Sequence, residues 1–154
     1  MKHIILIFTI ILSTNMSSQT HLSYYFGDNT NFDESIPKPS EIIGHEVGEW
    51  HVTHDKLVQY MYAVAEASDR VLIEETGKTY ENRPLLILKV SSNKNIKVLE
   101  KIQKKHIEIS GGKKMNEFDN MPAVVYQGYG VHGNEASASN ASILGIYYLS
   151  LIHI

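Results

Sequence analysis

The apolar positions change their period along the chain. Leu57, Tyr60, Met61, Val64 and Ala65 recur at three- and four-residue steps between Asp55 and Ser68. With Thr53 ahead of them as a capping residue, they predict a helix whose stripe is core packing. Residues 71–76 and 85–90 are short runs of β-branched and leucine side chains, which predict two strands joined through 77–84 with Glu81-Asn82 at the tip. Ser91-Ser92-Asn93 then opens a second helix over about 96–107, with Ile96, Leu99, Ile102, Gln103 and His106 on one side. Residues 110–120, with Gly111-Gly112 and Lys113-Lys114, predict a surface loop. Residues 122–127 predict a third strand, which Gly128, Gly130 and Gly133 break. From Ala136 the run Ala-Ser-Ala-Ser-Asn-Ala-Ser-Ile-Leu-Gly-Ile-Tyr-Tyr-Leu predicts a third helix packed closely on the sheet through its small residues. So small a sheet leaves an exposed edge and an uncovered apolar face, which predicts poor stability.

Composition narrows the picture. A chain of 154 residues with 43% hydrophobic content is one domain's worth of polymer, long enough for a core. A net charge of -3 with interspersed signs argues against nucleic acid as a partner. Lys97, Lys101, Lys104 and Lys105 line the side of the second helix away from its apolar stripe, as an anion-binding patch or a solvated face diluted by Glu100 and Glu108. There is no cysteine, so any metal must be held by His and carboxylate. Residues 1–18 read as an export signal: Lys2 gives a positive start, 4–12 is apolar apart from Thr9, and 13–18 is small and polar. The apolar run is too short to span a bilayer, so no stable membrane insertion is expected after its removal, and the mature chain is expected to be secreted or periplasmic. Residues 19–50 form a loop-rich lead-in stiffened by Pro37 and Pro39, and 51–149 the domain proper.

The candidate chemistry lies in Tyr129-Gly-Val-His-Gly-Asn-Glu135, where an apolar run stops at glycines and delivers His132 and Glu135 three residues apart. An imidazole and a carboxylate are both zinc ligands, and at this spacing on the first turn of a helix they can face one ion. His132 is expected at the carboxyl end of the third strand and Glu135 at the start of the third helix, where open α/β sheets gather their ligands and a helix dipole favours a carboxylate. The bare pattern is weak, since this composition yields roughly half an HxxE by chance. A second spacing, His51 with His54, is a metal pair or simply the start of the first helix.

From about Phe32 to Leu149 the chain resembles the amino-terminal part of secreted bacterial zinc metallocarboxypeptidases of the carboxypeptidase A type. The residues that carry the resemblance are Gly48-Glu-Trp-His-Val-Thr-His-Asp55, the Ala-Glu-Ala-Ser-Asp-Arg segment within 63–75, Thr79-Tyr-Glu-Asn-Arg-Pro-Leu85 and, above all, Tyr129-Gly-Val-His-Gly-Asn-Glu135. The resemblance implies a three-layer α/β/α fold with a mixed sheet, of which this chain holds the amino-terminal part. It also implies one zinc ion, a peptide substrate and removal of residues from peptide C-termini. In that family the His and Glu of HxxE bind zinc, which maps onto His132 and Glu135 alone. Asn134 stands where pancreatic-type members carry Arg, so substrate contacts at this position do not carry over.

Such chemistry needs a third ligand, a general base and an Arg for the substrate carboxylate. In the family these lie far downstream of HxxE. Here only 19 residues follow Glu135, with one His and no carboxylate or Arg. His153 sits at an unsupported chain end, a poor place for a rigid ligand. The terminal Leu149-Ser-Leu-Ile-His-Ile154 matches a translated transposon-end adapter of the kind used in sequencing libraries, so 150–154 is expected to be a non-native tail. The expectation is therefore an exported zinc carboxypeptidase as parent and an inactive fragment as this chain. The alternatives are a zinc amidohydrolase acting on N-acyl amino acids and a non-catalytic secreted binding module. Oligomeric state and side-chain preference are not legible.

Overall fold

A computed structural model describes residues 21–27, 32–112 and 121–151. The elements in chain order are α1 (Leu22–Phe26), α2 (Pro39–Ile43), α3 (His54–Ala67), β1 (Val71–Lys78), β2 (Pro84–Val90), α4 (Asn93–Ile96), α5 (Leu99–Ser110) and α6 (Ser137–Leu151). The export signal at 1–18, residues 113–120 of the expected loop and residues 152–154 of the expected tail, with His153, lie outside the described residues. Among the described residues no helix is long and apolar enough to cross a membrane.

Helix α3 forms where the stripe predicts it, and Tyr60, Met61 and Val64 are buried along one face. Thr53 occupies the N-cap position with extended backbone, but its hydroxyl makes no capping bond. It bonds the Asp55 carboxylate instead, which holds that carboxyl below its usual range. Helix α2 has Pro39 at its first position and ends at Gly44, whose φ of 83° lies in the left-handed region. The Glu41 carboxylate accepts the Lys38 amide at 3.0 Å, satisfying a donor that the helix start leaves free.

The two strands pair antiparallel in the register Val71↔Val90 and Ile73↔Leu88, with a bulge between Glu75 and Gly77. At the hairpin tip Asn82 takes φ 62°, and the Thr79 hydroxyl accepts the Arg83 amide at 3.2 Å. Val71, Ile73, Leu86, Leu88 and Val90 join the core, as strand alternation requires. The other face keeps Leu72, Leu85 and Ile87 exposed, the uncovered apolar face the pattern predicts.

The core sits between α3, α2 and α6: Ile36, Ile43, Val47, Tyr60, Met61, Val64, Val71, Ile143, Ile146 and Tyr147. Phe32 stacks on Tyr147 with ring centroids 5.9 Å apart, and Phe26 stacks on Tyr148 at 5.1 Å. Burial pushes the phenols of Tyr60 and Tyr147 above their ordinary range, and the Tyr60 hydroxyl donates to the Pro37 carbonyl at 3.3 Å.

The arrangement is α/β, as expected, but three details differ. Residues 121–130 form no strand, and Val124, Val125 and Tyr126 are 72%, 78% and 87% exposed. A β-prone run becomes a strand only when another strand supplies a ladder, and here the described sheet ends with β1 and β2. Helix α6 packs on α3 and α2 rather than through its small residues onto the sheet, because Ile143, Ile146 and Tyr147 provide a deeper apolar anchor. The second helix divides into α4 and α5. The Ser92 hydroxyl accepts the Asn95 amide at 3.3 Å and caps the short first turn, and Val98 leaves helical geometry with ψ 23°.

Candidate metal site

His132 and Glu135 lie on a turn that leads into α6. Gly130, just ahead of them, takes φ 73°, a conformation that side chains disfavour. The Glu135 amide donates to the His132 carbonyl at 3.0 Å, and the Ala138 amide donates to the Glu135 carbonyl at 3.2 Å, so Glu135 links the turn to the helix start. His132 follows a segment that forms no strand, and Glu135 lies two residues before Ser137, not inside the first turn.

The three-residue spacing brings the two side chains together. His132 Nδ1 and Glu135 Oε1 stand 2.9 Å apart, with side chains 67% and 56% exposed. Two donors on one tetrahedral zinc, each about 2.0–2.1 Å from the metal, are about 3.3 Å apart. Opening this hydrogen bond by a few tenths of an ångström, at solvent-exposed side chains, makes room for an ion between the two atoms. The pair thus fits two positions of a zinc shell. Among the described residues no group of three His, Cys, Asp or Glu side chains could hold a metal.

The other spacing is used structurally. His54 donates from Nε2 to the Pro84 carbonyl at 3.2 Å, tying the start of α3 to the start of β2, and no third donor completes a site with His51 among the described residues.

Three contacts that the sequence reading missed hold the turn in place. His106 of α5 donates from Nε2 to the Pro122 carbonyl at 3.0 Å, fixing the segment that enters the site. The Tyr129 hydroxyl donates to Gln127 Oε1 at 2.9 Å and lies so close to Gly145 that a Cβ there would stand 3.1 Å from it. Asn140, inside α6, accepts the Gly48 amide at 3.2 Å and donates to the Trp50 carbonyl at 3.3 Å. The last of these had a signal: an amide side chain amid Ala and Ser on a helix is a polar group that needs partners.

No curated protein and no solved structure matches the chain. A family model does, that of the zinc carboxypeptidases, over residues 57–151. The match takes in α3 from Leu57 onward, the β1–β2 hairpin, the His132–Glu135 turn and α6, more than half of the sequence, and the chain belongs to the zinc carboxypeptidase family.

Proposed function

We propose that His132 and Glu135 are two protein ligands of the zinc ion on which this family depends, in an exported enzyme that removes residues from the C-termini of peptides. The observation that carries the reading is the convergence of His132 Nδ1 and Glu135 Oε1 at 2.9 Å, inside the stretch matched by the family. Zinc supplies Lewis-acid polarisation of a peptide carbonyl and activation of water. The chain's residues do the holding. As a ligand through Nδ1, His132 would carry its ring proton on Nε2, the tautomer that frees the Nδ1 lone pair now facing Glu135 Oε1. Glu135 contributes a full negative charge, which offsets part of the ion's charge at the mouth of α6. The export part of the reading rests on Lys2 and the apolar run over 4–12.

In this reading the 154-residue chain alone does not hydrolyse peptides. Among the described residues no third His, Cys, Asp or Glu side chain joins His132 and Glu135 in a group that could hold a metal. Zinc titration of the chain, followed through the imidazole resonances of its histidines, tests the ligand assignment. Zinc is expected to move the His132 resonances first, with weak affinity, and His132→Ala or Glu135→Ala to abolish that response. Zinc uptake that ignores both substitutions would refute it.

A further inference from the structure

We infer that Asn140 is a positioning residue for the His132–Glu135 pair, acting as a two-bond tether between the first turn of α6 and the 48–50 loop; the inference rests on the zinc reading proposed above. The buried anchors of α6 lie further along the helix, at Ser142, Ile143, Ile146, Tyr147 and Ser150. Glu135 is exposed, and none of residues 136–141 is buried. Apolar packing therefore holds the body of the helix and leaves its opening turn to polar contacts.

Asn140 supplies them. Its Oδ1 accepts from the Gly48 amide at 3.2 Å and its Nδ2 donates to the Trp50 carbonyl at 3.3 Å, joining segments 92 and 90 residues apart. An amide side chain carries one acceptor and one pair of donors on a rigid plane, so it can satisfy an N–H and a C=O of one loop together. Alanine can satisfy neither. Gly48 is held at φ 92°, a conformation that side chains disfavour, so the loop that receives the tether depends on its glycine. The Glu135 carbonyl accepts from the Ala138 amide, which lies in that first turn two residues before Asn140. Release of the tether frees that turn, and with it the carboxylate that must meet His132.

The test compares Asn140→Ala with Ile146→Val in the 154-residue chain. The second variant thins the buried contact of the same helix without touching the tether, and so reports what simple destabilisation does. Asn140→Ala is expected to weaken zinc binding read at His132 by about tenfold, the scale of one net hydrogen bond. It should also speed amide exchange at Ala138 while Tyr147 stays protected. Ile146→Val should leave the zinc affinity unaltered. Asn140→Asp, which keeps the acceptor for Gly48 and loses the donor to Trp50, should fall between. Wild-type zinc affinity retained by Asn140→Ala, or lost equally in Ile146→Val, overturns the tether alone. A wild-type chain that takes up no zinc at His132 overturns the metal reading, and the tether's bearing on a metal with it.

Discussion

Replacing Ile143 by alanine tests whether α6, and the turn it carries, is seated by the core between α3, α2 and α6. Ile143 is fully buried in the cluster that includes Tyr60, Val64 and Tyr147. The substitution removes three carbons, worth roughly 0.8 kcal/mol each in transfer, or about 2.4 kcal/mol. The cavity left behind adds to this, so a total of about 3–4 kcal/mol is expected, within the usual span for such truncations. Against a domain stability that lies near ~5 kcal/mol at the low end, that is more than half. The low end applies here because Leu72, Leu85, Ile87, Val124, Val125 and Tyr126 are exposed and add nothing to the core. Urea unfolding followed by far-ultraviolet circular dichroism measures the loss, and Ile143→Val provides a graded step of about 0.5–1.5 kcal/mol. If Ile143→Ala unfolds within about 0.5 kcal/mol of wild type, the span reserved for surface changes, α6 is not seated as described.

Other consequences follow from the same contacts. Burial raises the phenol pKa of Tyr60 and Tyr147 in the folded state, so both stay protonated there while the unfolded chain ionises above about pH 10. Stability from these groups is complete below pH 10 and falls as pH rises beyond it; Tyr60→Phe should flatten that alkaline loss in urea midpoints taken between about pH 9 and 11. Val125 is 78% exposed in an unpaired apolar run, so Val125→Lys should lower concentration-dependent association in sedimentation without shifting the unfolding midpoint. Loss of the zinc response in His132→Ala and Glu135→Ala, with unfolding midpoints kept, would separate the metal site from the fold, since both side chains are mostly exposed.

Local pattern determined much of this molecule. The stripe from Leu57 to Ala65 needs only a 3.6-residue period to place Tyr60, Met61 and Val64 on one face, and the hairpin follows from two β-prone runs around a tip where Asn82 accepts positive φ. The His132–Glu135 convergence was legible for the same reason: a three-residue spacing on a turn is local geometry. What the tertiary structure decided is whatever depends on a distant partner. Residues 122–127 have the composition of a strand, yet a strand exists only beside another, and none lies beside them among the described residues. The imidazole of His54 could have joined His51 at a metal, but its Nε2 donates a hydrogen bond to the Pro84 carbonyl 30 residues away. The small-residue start of α6 suggests a sheet contact, while the packing of Ile143 and Tyr147 against α3 and α2 sets where that helix lies. Hydrogen bonds such as those of Asn140 to Gly48 and Trp50 join segments far apart in the chain, and no periodicity encodes which loop arrives opposite.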